Sequence, residues 1–570
     1  MAEEVWMLQT KKADFKQIGA RFRIDPVTAR IIRNRGIEGE AAIDRYLNGT
    51  LEDLYDPMLL KDMERAVSIL CEAVDTGKKI RIVGDYDIDG VCSTYILLQA
   101  FERLGSDVDF EIPDRIKDGY GINESIIEQA HAGGVEVILT CDNGISAFHQ
   151  VELAKKYGMT VVITDHHEVP LDGEKEKIPP ADAVIDPKQA DCPYPFPEIC
   201  GAVVAYKLVQ VLYARRGVPQ MEWLDLLEFA AIATVGDVMK LQDENRILVK
   251  YGLKKMAQTK NLGLRRLAEK NNLDLGAITA YHIGFVIGPC LNAGGRLKTA
   301  KEALALLRAQ SEEEAERLAE ELKELNDTRK DMTEQGTEAA KLQVESWYQK
   351  DKVLVIFLPE CHESLAGIIA GRLREYYQKP AIVLTRGEEM VKGSGRSIDE
   401  YHMFKKLTEV SDLLLKFGGH PLAAGLSLEE KNIDEFRRRL NENAGLTEED
   451  FKAKVWIDVP MPVGYVTERL VRELSCLEPF GQGNEKPLFA EKSLRIRASR
   501  ILGRNRNVVK MTLEETDGHA IEALYFGDGT AFEEERAGRR EIDVVYYPDI
   551  NEYNGRKTLQ AVIRRYKFRG

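Results

Sequence analysis

Residues 79–90, KIRIVGDYDIDG, join a short apolar run to a turn that carries three aspartates, Asp85, Asp87 and Asp89. A nearly continuous apolar run of this length is typical of a strand that is covered on both faces of a sheet. Taken alone, the turn also resembles a weak calcium-loop pattern. The chemistry of the three acids therefore depends on what stands at equivalent places elsewhere in the chain.

The same pattern of an apolar run followed by a helical stretch repeats from about residue 56 to residue 240. Apolar runs such as VDFEIP, VEVILTC, TVVIT and ADAVID are separated by stretches with helical periodicity. Strands that alternate with helices indicate βαβ units and a parallel, doubly wound sheet. We therefore expect an α/β fold for this region.

Polar side chains follow two more of these strands. VEVILTC ends at Asp142, and TVVIT ends at Asp165, His166 and His167. In a parallel sheet, ligands bind beyond the carboxyl ends of the strands, so we expect these side chains to meet at one edge. Asp237 follows an apolar helical stretch, and its Val-Gly-Asp turn directs a further carboxylate towards that edge. Each motif alone has a plain alternative, since CDNG is a common turn and a histidine pair can end a strand by chance.

So many carboxylates at one place repel each other and raise their pKa values unless a cation neutralises them. Oxygen ligands with one or two imidazoles suit Mn²⁺ or Mg²⁺ better than a metal that prefers thiolates. Six or more ligands exceed what one open catalytic ion needs, and they favour two ions that share a carboxylate. Two-metal sites of this kind hydrolyse phosphate esters. The pattern therefore predicts a two-metal hydrolase.

The rest of the sequence predicts further helices and strands. Residues 200–308 are mainly helical, and the segment after Ser311 predicts one long exposed helix with a capping-box spacing to Glu314. A coiled coil is less favoured because the apolar heptad is poorly kept. The last part of the chain alternates in short strands, which favours a small barrel of the OB type. The predicted boundaries are a helical lead-in at 1–55, an α/β catalytic domain at 56–310, a connecting helix at 311–350, a smaller α/β domain at 351–447 and the barrel at 448–570.

The composition is that of an ordinary globular protein. The 570 residues are 44% hydrophobic and 30% charged, with a net charge of −15. The start of the chain does not have the charge and hydropathy pattern of a secretory leader, and no apolar run is long enough to span a membrane. The eight cysteines are scattered without C-x-x-C pairs, which predicts reduced thiols and a cytoplasmic location.

The acid excess is confined to the first part of the chain, because residues from Asp450 onward hold 21 Lys and Arg against 19 Asp and Glu. Between Glu491 and Glu514 there is no acid at all. A local basic stripe of this kind favours phosphate binding, although a solvated strand face is an equal alternative. In the next strands Tyr525 and Phe526 alternate, so one side chain is expected in the core and the other is free to stack on a base. The stripe consists of Lys492, Arg495, Arg497, Arg500, Arg504, Arg506 and Lys510.

The motifs GDYDIDG, CDNG, DHH and GDV, in this order, resemble the DHH phosphoesterase superfamily. GGHPLAAG at 418–425 resembles the glycine- and histidine-rich motif of the associated DHHA1 domain. Four further stretches narrow the resemblance to the bacterial single-strand-specific exonucleases of this superfamily. They are IPDRIKDGYG (112–121), IGPCLNAGGR (287–296), GSGRSI (393–398) and FGQGN (480–484). The chain departs from the family pattern at Cys290, where an arginine is usual, but it keeps Arg296.

The resemblance implies a 5′→3′ exonuclease that releases 5′-mononucleotides from single-stranded DNA in DNA repair and recombination, with two Mn²⁺ or Mg²⁺ ions. It implies that Asp165 orients a histidine and that His167 faces the phosphate, while His166 binds metal. Asp142 is expected to bridge the two ions. The metal ligands implied by the motifs are Asp85, Asp87, Asp89, Asp142, His166 and Asp237.

The second lobe is expected to hold the phosphates. Arginine suits bidentate phosphate contact, and GSGRS sets small residues around Arg396, although the stretch also reads as a plain turn. Gly418 and Gly419 predict a loop with free backbone N–H groups beside His420, an anion-binding nest, with an ordinary turn as the alternative. The resemblance implies that Ser394, Arg396 and Arg115 hold the 5′-terminal phosphate, that Arg296 and His420 contact phosphates near the metals, and that Tyr120 and barrel residues Arg495, Arg497, Arg500 and Arg504 line the DNA path.

Two alternatives stay open on the sequence alone. One is a phosphodiesterase of the same superfamily that acts on short oligonucleotides or cyclic dinucleotides, although such relatives generally lack the barrel. The other is an inactive scaffold of a replication assembly, which is expected to have lost the acids. We further expect a monomer that binds single-stranded DNA, cooperates with a single-strand-binding protein and a helicase, and does not bind membranes.

Overall fold

The computed structural model describes residues 4–387, 390–553 and 555–569. The chain forms two compact units. One consists mainly of residues 55–239 and 251–453, and the other combines residues 6–54, 240–250 and the chain from 454 onward. Within the described residues, no helix has both the length and the apolar character needed to cross a membrane.

The first residues contribute to the second unit. Two of its helices begin at Asp14 and Asp25, whose carboxylates accept backbone N–H groups of Gln17 and Val27. The predicted helical lead-in is correct except at its start, which is a strand. The elements are β1 (Glu4–Leu8), α1 (Phe15–Phe22), α2 (Pro26–Asn34) and α3 (Glu40–Asn48).

The α/β prediction for the next region is confirmed. Five strands form one sheet in the order β3-β2-β4-β5-β8, and all four pairings are parallel. Helices α5 and α8 pack on one side of this sheet, and β2, β4, β5 and β8 are almost entirely buried, whereas the edge strand β3 is half-buried. The elements are α4 (Met63–Asp75), β2 (Ile80–Val83), α5 (Ile88–Arg103), β3 (Val108–Glu111), α6 (Glu124–Ala132), β4 (Val137–Cys141), α7 (Phe148–Lys156), β5 (Thr160–Thr164), β6 (Leu171–Asp172), β7 (Lys175–Glu176), β8 (Ala183–Ile185) and α8 (Gly201–Arg216).

The helical prediction for the following stretch is also confirmed. A π-helical turn, Ile283–Ile287, separates the short α13 from α14, and a second one follows the long helix α16. The helices are α9 (Gln220–Leu224), α10 (Leu227–Gly236), α11 (Asp243–Met256), α12 (Leu262–Lys270), α13 (Ala280–His282), α14 (Gly288–Leu297), α15 (Lys301–Leu307) and α16 (Glu312–Gln343).

The long helix differs from the predicted exposed rod. Leu318, Leu322 and Ala340 are buried, and the helix packs against α12, α14 and α15. Its capping box is shifted by one residue. The Ser311 hydroxyl accepts the Glu314 N–H at 3.2 Å, but the Glu314 carboxylate accepts the backbone N–H of Gln310.

The smaller α/β region has a mixed sheet in the order β12-β13-β11-β10-β9, in which only β9 and β10 are parallel. The predicted loop at Gly418 and Gly419 is wrong, because both glycines lie in β12 and pair with Gly425 and Ala424. The N–H of His420 is not free either, since it donates to the Ala423 carbonyl at 2.7 Å. The elements are β9 (Leu354–Phe357), α17 (Ala366–Tyr377), β10 (Ala381–Arg386), β11 (Val391–Arg396), α18 (Met403–Thr408), β12 (Leu414–Gly419), β13 (Ala423–Leu428) and α19 (Ile433–Glu442).

The predicted OB-type barrel is confirmed. The strands follow the order β16-β17-β18-β20-β19, and an added pairing of β16 with β19 closes the ring. Ile31, Ile32 and Tyr46 of the lead-in helices share the buried core of this barrel. The elements are β14 (Ala453–Ile457), β15 (Val459–Pro460), α20 (Glu468–Leu474), β16 (Phe489–Leu502), β17 (Val508–Glu514), β18 (Ala520–Phe526), α21 (Gly529–Arg536), β19 (Glu541–Tyr553) and β20 (Arg556–Phe568).

One buried acid of the first unit makes the stability of the protein depend on pH. Glu228 in α10 is 3% exposed, and only one of its carboxylate oxygens has a partner, the Thr259 hydroxyl at 2.7 Å. Burial raises the pKa of Glu228 to about 7, although the Thr259 hydrogen bond opposes this shift. The folded protein therefore keeps a proton that the unfolded chain releases near its ordinary pKa, so this contribution to stability falls as the pH rises from about 4.5 to about 7 and stays constant above that.

Glu228→Gln should remove this pH dependence, because the amide keeps the acceptor for Thr259 and carries no charge. We expect the variant to be more stable than the parent at pH 8 by on the order of 2 kcal/mol, and this difference to vanish below about pH 4, where the carboxyl is protonated in both states. Thermal unfolding at both pH values measures it, with the exposed Glu128→Gln as the control. A stability difference that is the same at both pH values would contradict the expectation.

Candidate metal centre and phosphate cavity

The carboxyl ends of β2, β4 and β5 bring the predicted acids and histidines together. Three groups of three residues share members. Within each group, the ligand atoms all lie within 4.8 Å of one another. Asp142 and His166 each belong to two of the groups, so they lie at the middle of the cluster. The groups are Asp85 with Asp87 and Asp142, Asp89 with His166 and Asp237, and Asp142 with His166 and His167.

Two helix N-termini fix the first aspartates. Asp87 is the N-cap of α5 and accepts the backbone N–H groups of Asp89 and Gly90 at 2.9 and 3.1 Å. Asp89, in the first turn of α5, accepts the N–H groups of Gly201 and Ala202 at 2.7 and 2.8 Å, where α8 begins. Unpaired N–H groups and the helix dipole both stabilise a carboxylate there. The DYDIDG turn thus aims its acids through secondary structure.

Asp142 has a backbone conformation that few non-glycine residues adopt. Its φ is 61°, in the left-handed region. The Tyr120 hydroxyl donates to the Asp142 carbonyl at 2.7 Å and lies 3.1 and 3.2 Å from the ring nitrogens of His167. Gly201 packs against Asp142 so closely that an added Cβ would lie 2.7 Å from the Asp142 Cβ. Both neighbours hold this strained residue at the centre of the cluster.

His166 lies among the acids. Its Nε2 is 3.1 Å from Asp142 Oδ1, 3.5 Å from Asp89 Oδ2 and 3.8 Å from Asp237 Oδ2. Asp237 is the C-cap of α10, and the following Val238 has a φ of 58°, which is rare for a β-branched residue. The predicted swing of the Val-Gly-Asp turn towards the sheet edge is therefore what the structure has.

Asp165 and His167 form a hydrogen-bonded pair beside this cluster. Asp165 Oδ1 lies 2.7 Å from His167 Nδ1 and accepts the backbone N–H of His166, while Oδ2 accepts the N–H of Ile145. Burial disfavours the charged form of His167, but the hydrogen bond and charge of Asp165 outweigh it and raise its pKa to about 9. The His167 side chain is 42% exposed, whereas His166 is buried.

The electrostatics of the cluster call for cations. Burial raises the pKa of Asp85 and Asp142 well above the ordinary value and that of Asp237 to about 8, and neighbouring carboxylates add to each shift. Among the described residues, no hydrogen-bond partner reaches Asp85 Oδ2, Asp142 Oδ1 or either ring nitrogen of His166, and all four atoms are buried. Carboxylate oxygens with one imidazole form a ligand set that suits Mn²⁺ or Mg²⁺, so the residues present fit these ions.

A cavity of about 830 Å³ brings several of the predicted phosphate ligands together. Arg396 donates to the Ser394 hydroxyl at 3.1 Å, Arg296 donates to the Ser364 carbonyl at 3.0 Å, and the Arg115 guanidinium lies 4.7 Å above the ring of Tyr86. Of the residues predicted to bind DNA, this cavity is lined by Arg115, Arg296, Ser394, Arg396 and Gly418.

Other predicted ligands lie elsewhere. Gly419 and His420 are outside the lining, and Tyr120 contacts Asp142 and His167 instead. Tyr86, Lys392 and Lys416 are among the lining residues that were not predicted from the sequence. Each of the three stands within two residues of a residue in a quoted motif. Lys392 and Lys416 stand two positions before Ser394 and Gly418, and strand alternation predicts that residues two apart share a face of the sheet.

The basic stripe of the barrel is partly neutralised. Arg497 pairs with Glu514, and Lys510 pairs with Glu522 at 2.8 Å, because the neighbouring strands β17 and β18 carry these acids. An acid-free stretch of sequence is therefore not an acid-free surface. In β18, Tyr525 packs against Phe532 and Tyr566, whereas Phe526 is 59% exposed, as the alternation predicts. All five arginines of the stripe, Arg495, Arg497, Arg500, Arg504 and Arg506, are exposed.

Family models match three parts of the chain. The DHH family N-terminal domain matches residues 79–234, the DHHA1 domain matches residues 350–445, and the RecJ OB domain matches residues 457–565. A single-stranded-DNA-specific exonuclease RecJ of Bacillus subtilis is 36% identical over 98% of this chain and 70% of its own length. The enzyme of the same name from Escherichia coli is 34% identical over 95% of both chains. The chain belongs to the RecJ family.

Solved RecJ structures agree with this assignment. The RecJ structure from Thermus thermophilus in complex with Mn²⁺ superimposes with a TM-score of 0.84 at 28% identity, covering 99% of this chain and 80% of that one. A structure of RecJ from the same organism with Mg²⁺ gives a TM-score of 0.78.

At the departure from the family pattern, Cys290 is buried with its sulfur 3.3 Å from the Asn326 side-chain amide.

Gly201→Ala tests how the centre is held, because the new Cβ would lie 2.7 Å from Asp142 and must displace it or the start of α8. We expect Mn²⁺ affinity to fall by about tenfold to a hundredfold, since Asp89 also depends on that helix end. Titration with Mn²⁺ followed by calorimetry measures the change.

The matched control is Gly371→Ala in α17, where an added Cβ meets no atom within 4 Å. This variant should bind Mn²⁺ as the parent does and unfold at the same temperature or higher. Equal Mn²⁺ affinity in both glycine variants would show that the contact between Gly201 and Asp142 does not position the ligands.

Proposed function

We propose that this protein is a two-metal exonuclease that hydrolyses single-stranded DNA in the 5′→3′ direction and releases 5′-mononucleotides. The observation that carries the proposal is the cluster of acids and His166 at one sheet edge, close to a cavity lined by three arginines. The names of the RecJ relatives support single-stranded DNA as the substrate. The polarity and the product are what the resemblance to the family implies, and they belong to the proposal.

Six side chains are proposed to hold two Mn²⁺ or Mg²⁺ ions, and Asp142 and His166 are central because each belongs to two of the ligand groups. When bound, such ions activate a water molecule and stabilise the charge on the attacking and leaving oxygens. The proposed ligands are Asp85, Asp87, Asp89, Asp142, His166 and Asp237.

His167 is proposed to face the scissile phosphate. The Asp165 carboxylate accepts from its Nδ1 and keeps the imidazole protonated at neutral pH, as the raised pKa of His167 indicates. The half-exposed ring can then donate a hydrogen bond to a phosphate oxygen. Tyr120 limits the rotation of this ring from the other side.

The large cavity is proposed to hold the 5′-terminal nucleotide. Its volume of about 830 Å³ lies in the usual range for small-molecule sites. Arg396 and Ser394 hold the terminal phosphate, with Arg115 opposite them. Arg296, fixed by the Ser364 carbonyl, contacts the phosphate nearer the metals.

Further along the strand, the barrel is proposed to bind the DNA backbone through its exposed arginines and to stack a base on Phe526. We infer a role in DNA repair and recombination in the cytoplasm. There the protein would act as a monomer and cooperate with a single-strand-binding protein and a helicase.

Digestion of end-labelled single strands with Mn²⁺ tests the proposal. We expect mononucleotides from the 5′ end, and we expect Asp142→Asn to lower the rate by about a hundredfold or more because it removes a shared ligand. The exposed Asp172→Asn serves as the control. Products longer than a mononucleotide, or a faster reaction on dinucleotides than on long strands, would instead place the enzyme among the phosphodiesterases of short substrates.

Arg396→Gln tests the phosphate pocket. We expect this variant to cleave strands with a 5′-phosphate about tenfold more slowly than the parent, and strands with a 5′-hydroxyl at an almost unchanged rate, because only the phosphorylated end uses the guanidinium. Initial rates on both substrates measure the difference. Arg438→Gln on the exposed face of α19 is the control. An equal loss on both substrates would exclude the assignment.

A further inference from the structure

A second, smaller cavity adjoins the metal centre. Its volume is about 100 Å³, and Gly236, which directly precedes the metal ligand Asp237, forms part of its wall. Arg296 and Ile368 line both this cavity and the large one, so the two cavities are neighbours. The other lining residues are Gly284, Gly288, Pro289, Asn292 and Arg329.

Arg329 reaches this cavity from the long helix α16. Its Nε and Nη2 both donate to Asn326 Oδ1, at 3.1 and 3.0 Å, and Asn326 is itself 1% exposed. Asp327, two positions before it on the same helix, pairs with Lys323 and Lys330 instead. Among the described residues, Arg329 has no acidic partner, and a buried amide fixes the direction of its guanidinium.

The cavity is positively charged and too small for a nucleoside. Its lining holds two guanidinium groups and no carboxylate, within the residues that the structure describes. Burial and the neighbouring arginines, Arg329 among them, lower the pKa of Arg296 to about 10, so the two cations repel each other. Buried like charges are costly unless an anion compensates them. A volume well below the usual range for organic ligands leaves room for a group of about the size of one phosphate.

We propose that this cavity binds a second backbone phosphate of the DNA strand, next to the scissile one, through Arg296, Arg329 and the Asn292 side chain. The inference rests on the proposed function, because it takes the substrate to be a phosphodiester strand. Under it, α16 is a substrate-binding element as well as a connection between two domains. The site recognises a charge and a shape, and it contacts no base.

Two substitutions test the site by different means. Arg329→Gln removes the charge and keeps most of the side-chain length. Gly284→Ala keeps the charge but places a methyl group in the cavity, and this Cβ meets only Val235 Cγ1, at an ordinary 3.6 Å, so the fold should tolerate it. Arg317→Gln on the same helix, where the arginine pairs with Glu321 on the surface, is the matched control.

The readout is the binding of fluorescent single strands to the full-length protein in Ca²⁺, measured by anisotropy. We expect Arg329→Gln and Gly284→Ala to weaken binding by about tenfold, Arg317→Gln to have no effect, and the salt dependence of Arg329→Gln to fall by about one phosphate contact. Strands that carry one neutral methylphosphonate, moved along the backbone, locate the contact. At one position the penalty seen with the parent should be lost in Arg329→Gln.

If the methylphosphonate penalties of Arg329→Gln equal those of the parent at every position, the second phosphate site is refuted. The same conclusion follows if Arg317→Gln and Arg329→Gln weaken binding equally. These binding experiments need no hydrolysis. A parent protein that binds strands with the expected pattern but does not cleave them would refute the proposed function and leave the phosphate site in place.

Discussion

The fold brings carboxylates that repel each other together at one edge of a parallel sheet. The residues around this edge reduce the repulsion. Helix N-termini stabilise Asp87 and Asp89 with backbone N–H groups. Within the described part of the chain, Asp142 Oδ1 at the centre has no hydrogen-bond donor, and burial raises the pKa of Asp142. Because cations are the remaining means of neutralising the acids at the centre, a metal centre follows from the sheet topology together with the positions of the acids.

The location of these acids could be predicted because it depends on local sequence. Each of the residues Asp85, Asp142 and His166 follows a strand within three positions, and parallel strands end at one edge. The exact support of the centre could not be predicted in this way. The close approach of Gly201 to Asp142 and the hydrogen bond from Tyr120 join residues that are distant in the chain, so no local pattern records them.

The same distinction explains the other differences from expectation. The glycine motif at Gly418 predicts a loop because its small residues also suit turns, but pairing with β13 makes it a strand. Part of the positive charge of the arginine stripe is neutralised, because the neighbouring strand places Glu514 beside Arg497. The sequence shows directly which residues are neighbours along one strand. The net charge of a surface also depends on the register that pairs the residues of adjacent strands.

The phosphate cavity complements the metal centre in charge. Arg115, Arg296 and Arg396 come from three separate segments, and none of them has an acidic partner within the described part of the chain. These guanidinium groups lie close to carboxylates that need cations, and a phosphate-bearing substrate of the kind proposed above complements both sets of charges. Since guanidinium groups contact phosphates rather than bases, such a site binds the backbone of any sequence.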